Sequence, residues 1–202
     1  TLWPEDGGPF VTLPLVYTQH PGKPGHNLGM YRLQVFDRRT TGMHWQIGKG
    51  GGFHYKVAEG LGEPLPVTVF LGGPPALILS AIAPLPENVP ELMLASLIAG
   101  DRLPLTRVGD WPHPLVASAE FALMGTVAPR LRRPEGPFGD HYGYYSLRHD
   151  YPVFNLSRIA HRHDAIYPAT VVGKPRQEDF HIGDLLQELL SPLFPLVMPS
   201  VV

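Results

Sequence analysis

The 202-residue chain contains no cysteine. That absence removes disulfide stapling, a thiolate nucleophile, and every zinc or iron–sulfur site built on sulfur. It also fits a reducing compartment, and the expected location is cytoplasmic. No stretch approaches the roughly 18 consecutive apolar residues of a membrane-spanning helix. Charge is scarce and balanced: 17% of residues are charged and the net charge is −2 with histidine neutral. So neutral a chain carries no electrostatic footprint for nucleic acid or an anionic membrane surface. Nucleotide and hydrolase signatures are missing as well. GKGGG at 48–52 lacks the spacing and the hydroxyl residue of a P-loop, and no G-x-S-x-G elbow occurs.

What the chain has in excess is proline, 24 residues, and glycine, 22. They lie among apolar runs rather than in one tract, which predicts many short elements joined by fixed turns. Strands are expected over 9–17, 29–36, 42–47, 67–72, 103–108, 119–127 and 151–160. In GMYRLQVF (29–36) the alternation puts Tyr31, Leu33 and Val35 on one face, and Met30, Arg32, Gln34 and Phe36 on the other. Helices are expected in FHYKVAEGL, in PPALILSAIA with proline in its first turn, and in PELMLASLIAG with Leu94, Leu97 and Ile98 as its stripe and Gly100 as its stop. A last helix, HIGDLLQELL, carries Ile182, Leu185, Leu186, Leu189 and Leu190 at helical spacing. AIYPATVV (165–172) reads as extended. Together these predict one α+β domain over 1–202 whose short strands curl into a small barrel. The opening on Thr1 and the close on PLVMPSVV read as a segment of a longer or processed protein.

Three groups of residues could carry chemistry. Arg32 sits mid-strand; facing inward it needs a carboxylate partner from protein or substrate, and facing outward it is an ordinary surface residue. Glu135 and Asp140 share the glycine-rich loop EGPFGDHYGYY (135–145). Carboxylates gathered near an arginine have pKa values pushed apart, which suits one of them to general-acid work. The plainer reading is a solvated loop with Asp140 closing a turn, although Tyr142, Tyr144 and Tyr145 suggest a packed loop. Of the ten histidines, His161 and His163 would share one strand face; a surface position suits them better than a metal site.

Four stretches taken together resemble the UbiD family of reversible decarboxylases: NLGMYRLQVFD (27–37), PPALILSAIAPLPENVPE (74–91), PEGPFGDHYGYYS (134–146) and AIYPATVVGKPRQED (165–179). They stand in the family's order, and the likeness covers most of this chain but only the central part of a family member. The resemblance implies a split β-barrel, related to flavin-binding barrels, with short inserted helices and a C-terminal helix. It implies prenylated FMN, a divalent metal (Mn or Mg) and possible potassium at the cofactor phosphate. Arg32, Glu135 and Asp140 match the catalytic arginine and two acids. Asn27 and Glu91 match two metal ligands. Gly29, Met30, Tyr31 and Arg32, with Ala81, Ile82, Ala83 and Pro84, match the walls along the cofactor. The third metal-ligand place falls on Gly48, with His44 and His54 nearby but out of register. A basic phosphate-gripping residue would come from a region beyond this chain.

The function this implies is reversible, non-oxidative decarboxylation of an aromatic or α,β-unsaturated acid. Arg32 would hold the substrate carboxylate, and Asp140 would protonate the carbon that loses CO2. The expected partners are that small-molecule acid, the remaining regions of the protein's own longer chain, and further copies in a homo-oligomer. Two other readings stay open. One is a non-catalytic scaffold or assembly protein that keeps the fold, suggested by Gly48. The other is a plain flavin barrel doing redox chemistry, which the acid pair disfavours.

Overall fold

The computed structural model describes residues 3–46, 50–86, 89–198 and 200. In chain order the strands are β1 (Phe10–Val11), β2 (Leu15–Gln19), β3 (His26–Met30), β4 (Leu33–Gln34), β5 (Thr40–Gly42), β6 (Leu65–Leu71), β7 (Leu105–Thr106), β8 (Leu115–Val116), β9 (Phe121–Glu135) and β10 (His149–His161). The helices are α1 (Gly50–Leu61), α2 (Pro75–Ile82), α3 (Glu91–Ala99) and α4 (Glu178–Leu190), the last followed by a short helical turn. Six strands form one antiparallel sheet in the order β3-β2-β6-β9-β10-β5. β1 pairs with β4, and β7 with β8.

β6 explains the layering. Its residues Leu65, Val67, Val69 and Leu71 point to one face, where Val16, Trp45 and the α1 residues Tyr55 and Ala58 cover them. Its Phe70 points to the other face, packed with Leu77 and Ala81 of α2 and Ala95 of α3. A strand buried on both faces reads as an apolar run, as LPVTVFL does. α2 starts with Pro75, whose fixed φ and missing N–H suit a first helical position. α3 ends at Gly100, which takes φ 70° in the left-handed region. β9 and β10 make a long hairpin with register shifts between Pro152 and Phe154 and between Leu156 and Arg158; such bulges bend and twist a strand pair.

Each face of the sheet buries one threonine–histidine pair. Thr18 of β2 meets His54 Nδ1 of α1 at 2.9 Å. Thr68 of β6 meets His113 Nδ1 at 3.0 Å. Trp111 Nε1 donates to Thr68 Oγ1 at 2.8 Å, which leaves that hydroxyl its own proton and a second lone pair to meet His113. Burial pushes both histidines down, His54 to about 4 and His113 to about 4, with His20, His26 and Lys23 adding to the effect on His54.

Several expectations are corrected. The 29–36 strand is two pieces: β3 ends at Met30, Tyr31 and Arg32 leave the ladder, and β4 resumes at Leu33. β3 also starts earlier than expected, at His26. The strand expected at 42–47 is Thr40–Gly42, bridged through Thr41 to Val35 just after β4. Of 103–108 only Leu105–Thr106 is strand. In α3 the buried residue is Ala95, while Leu97 is 76% exposed. In α4 only Leu190 of the apolar stripe is fully buried. His161 ends β10 in an exposed position, as the surface reading had it.

The two histidine pairs give the fold an acid limit. Their folded values lie below the unfolded value of 6.5, so the unfolded chain takes up protons first as pH falls. The stability they contribute is complete above pH 6.5 and declines toward pH 4. Urea unfolding at pH 7.5 and 5 reads this loss, and His113→Gln flattens the decline. Thr68→Val strands both His113 Nδ1 and Trp111 Nε1, and costs about 1–3 kcal/mol at pH 7.5.

Candidate active site

The break between β3 and β4 is what places Arg32. Its carbonyl accepts the N–H of His44 at 3.3 Å, so the two side chains leave the backbone as neighbours. Glu135 is the last residue of β9, opposite His149, and its side chain has no exposure. Arg32 Nε donates to Glu135 Oε1 at 3.0 Å, and Arg32 Nη2 lies 3.0 Å from the same oxygen. His44 Nδ1 reaches it at 2.9 Å. Because Oε1 already accepts guanidinium protons, it faces Nδ1 with lone pairs, and the imidazole proton sits on Nδ1. The other oxygen, Oε2, is buried and has no hydrogen-bond partner among the described residues.

The loop after β9 holds this arrangement. Gly136 turns the chain at φ 99°, a conformation that side-chain-bearing residues rarely adopt, and its N–H donates to Gln34 Oε1 at 2.8 Å. The Phe138 ring lies under the Arg32 guanidinium, 4.4 Å from its carbon, and meets Phe10 edge-on at 4.7 Å. Ser146 Oγ accepts Phe138 N–H at 3.1 Å and Arg32 Nη2 at 3.5 Å. The packing ring is thus Phe138. Tyr142, Tyr144 and Tyr145, expected to pack the loop, are 66%, 72% and 39% exposed.

Asp140 is not drawn into this cluster. Its Oδ1 accepts the N–H groups of Tyr142 at 3.0 Å and Tyr144 at 3.1 Å, which closes a turn. No hydrogen bond or ion pair joins it to Arg32 or Glu135 among the described residues. With Trp3, Tyr144, Tyr145 and Lys174 it lines a neighbouring cavity of about 160 Å3.

A second cluster lies at the start of α1. Glu91, in the first turn of α3, accepts Leu28 N–H at 3.1 Å through Oε2. The Asn27 amide oxygen, turned toward its donors, accepts Gly51 N–H and Leu28 N–H, each at 3.3 Å. Tyr31 Oη also takes Gly51 N–H at 3.4 Å. Gly51 has no room for a side chain: a Cβ there would stand 2.7 Å from Trp45 Nε1. From Gly50 on, the GKGGG stretch is therefore a helix start in close contact with its neighbours. Burial holds the Glu91 carboxyl above its ordinary value; burial, with Glu91 adding to it, raises Tyr31. Asn27 and Glu91 could offer oxygen to a hard cation, though no group of three His, Asp or Glu is disposed to hold a metal among the described residues. Gly48, the third expected ligand place, lies outside the described residues. Met30 and Ile82 line one cavity of about 260 Å3, facing Ile182 and Leu186 of α4 and Val172. Gly29 lies in β3, Ala81 is in the core, and Ala83 and Pro84 follow the end of α2.

Sequence reasoning placed His44 near the site but missed its bond to Glu135, and it missed Phe138 and Ser146 altogether. One signal was available: Met43 and Trp45 are apolar and buried, so alternation turns His44 away from their core. Removing one partner of a buried ion pair leaves a charge without compensation. Arg32→Ala is therefore expected to lower unfolding stability by about 3–5 kcal/mol, and adding Glu135→Gln recovers part of that loss; denaturant titration of the three proteins checks both.

Comparison with known proteins bears on this geometry. Residues 1–175 match the family described as UbiD, 3-octaprenyl-4-hydroxybenzoate carboxy-lyase Rift-related domain. A Chlamydia pneumoniae protein, named for its place in a 4-hydroxybenzoate decarboxylase, is 62% identical over 201 residues, covering 100% of this chain and 34% of its own length. A Chlamydia caviae protein is likewise 62% identical, with 35% of its length covered. The chain thus spans about a third of the length of these curated relatives. Among solved structures, the UbiD-class enzyme HmfF of Pelotomaculum thermopropionicum in complex with prFMN superposes with a TM-score of 0.87 at 26% identity, over 99% of this chain and 46% of that one. Sedimentibacter hydroxybenzoicus vanillic acid decarboxylase, in its closed form, gives 0.87 at 28% identity, over 100% and 44%. Matched over residues 1–175 of its 202, the chain belongs to the UbiD family.

Proposed function

We propose that this chain is the cofactor-holding domain of a longer decarboxylase that uses prenylated FMN to release CO2, reversibly and without net oxidation, from an aromatic or α,β-unsaturated acid. The observation that carries the reading is the Arg32–Glu135 pair at 3.0 Å, with Glu135 sealed and its Oε2 free. A buried ion pair is rarely needed for stability, and apolar residues in its place are often as good. Its presence therefore argues against a scaffold that kept only the fold. The chain path supports a split barrel. β3 and β5 are the two edges of the sheet, and they are joined through β4 by a two-residue step and the Val35–Thr41 bridge.

The residues present fit the cofactor. Met30 and Ile82 line a single, largely apolar cavity of about 260 Å3, suited to a flat ring system. Asn27 takes the Gly51 N–H in the N-terminal turn of α1 and Glu91 takes the Leu28 N–H, and backbone N–H groups at a helix start favour an anionic phosphate. These two side chains would hold the divalent metal (Mn or Mg), with potassium a second candidate cation. HmfF is solved with prFMN and with FMN. When bound, the prenylated flavin supplies the electron sink for breaking the C–C bond.

The chain's own residues do the rest. Arg32 has Nη1 without a partner among the described residues, and it binds and orients the substrate carboxylate. Phe138 and Ser146 keep the guanidinium plane fixed. Asp140 uses Oδ1 for its turn and leaves Oδ2 to the neighbouring cavity; it delivers the proton to the carbon that loses CO2. Asp140 regains its proton from the cavity it lines, while Glu135 takes up a proton when the anionic substrate binds beside it and returns it when CO2 leaves. Hydroxylated benzoates are the first substrates to try, given the names of the relatives.

The test uses the longer protein reconstituted with prenylated FMN, following CO2 release and deuterium incorporation into product. Arg32→Ala lowers turnover by about 10²-fold or more. Asp140→Asn keeps an oxygen for the turn but has no acid, so it loses turnover to a similar degree with unchanged stability; full activity would leave Asp140 as a turn residue only. Calorimetric Mn titration of the same protein reads the cation site: Glu91→Gln is expected to weaken binding by about tenfold or more, since a charged oxygen ligand is lost.

A further inference from the structure

We infer that His44 is the proton conduit between the buried carboxyl of Glu135 and solvent. The inference rests on the reading that Glu135 takes up and returns a proton during turnover. The Glu135 side chain has no exposure, and its Oε2 is sealed and without a partner. Water therefore does not reach it in this arrangement, and a proton must travel through a group in contact with it. Its hydrogen-bond partners among the described residues are Arg32 and His44. A guanidinium does not release its proton in proteins. Ser146 touches Arg32 rather than Glu135. His44 remains, and an imidazole carries a proton site on each of its two nitrogens.

The ring is built for passage. Nδ1 is 2.9 Å from Glu135 Oε1, and the side chain is 22% exposed. Nε2 makes no hydrogen bond to a described residue and is not among the atoms sealed from solvent. The Tyr151 ring lies against the imidazole at 4.3 Å between centroids, tilted by 33°, and limits its rotation. Burial raises the Tyr151 phenol, the charge of Glu135 adds to the rise, and Arg32 opposes it, so Tyr151 is a neutral wall rather than a competing acid. The step balances simply. A hydronium ion gives its proton to form the Nε2–H bond and leaves as water, the Nδ1–H bond breaks, and that proton forms O–H on Glu135. The imidazole ends neutral with its proton on Nε2, the carboxyl ends neutral, and the reverse sequence empties it.

A purely positioning role would also place Nδ1–H on Oε1, so the test must separate the two. Infrared spectroscopy after a pH jump on the full-length protein follows protonation of Glu135, its band identified by its loss in Glu135→Gln. His44→Asn keeps an N–H donor near the Nδ1 position but has no second nitrogen. It is expected to slow the appearance of the band by about 10²-fold or more while reaching the same end point. Imidazole added to His44→Ala is expected to restore speed. A His44→Asn rate equal to wild type, a slow His44→Ala that imidazole leaves slow, or a wild type in which Glu135 never gains a proton overturns the inference. The measurement needs neither cofactor nor substrate. Failure of decarboxylation in every protein would sink the enzymatic reading and leave the infrared result standing.

Discussion

A carboxylate with no access to water is the condition around which this domain is arranged. Glu135 ends β9 with its side chain fully enclosed, and a buried charge is tolerated only with close, well-aimed partners. Three features answer that demand. The ladder stops at Met30 so that Arg32 can leave it. The β4–β5 hairpin brings His44 against the Arg32 backbone. The loop after Glu135 folds back so that Phe138 and Ser146 pin the guanidinium.

Residues 27 to 32 link the two chemical centres. Asn27 accepts the Gly51 N–H at the start of α1, Met30 lines the apolar cavity, and Arg32 holds Glu135. Six consecutive residues thus contribute to a pair of oxygen acceptors, a cavity wall and an ion pair. A strand carried through this segment would alternate sides with every residue. Leaving the ladder at Tyr31 frees Arg32 from that alternation, and Tyr31 itself is anchored by Gly51 and buried beside Glu91.

How much of this could be read from the sequence depends on whether local pattern or distant contact decided it. β6, α2 and α3 were legible because apolar runs, an initial proline and a terminal glycine act over a few residues. The break in 29–36 was not, because its alternation is intact and the cause is a partner 103 positions away. The stripes of α3 and α4 showed which residues could be buried but not which neighbours cover them; Ala95 is enclosed and Leu97 is not, because α2 lies on the alanine side. Arg32 and Glu135 were named from the family likeness, and the structure brings them into contact. Asp140 was named with them, and the structure has its Oδ1 closing the turn that the bare spacing suggested. The link to His44 escaped because two residues 91 positions apart leave no periodic trace.

The borders of the sheet have a bearing on the protein's behaviour in a crowded cell. An edge strand with unpaired N–H and C=O groups is a template onto which another chain can add a strand. On β3 the Leu28 N–H is already taken by the Glu91 carboxylate, and β5 is bridged by the residue just after β4. The contacts that prepare the chemical site therefore also blunt both margins against self-templated aggregation.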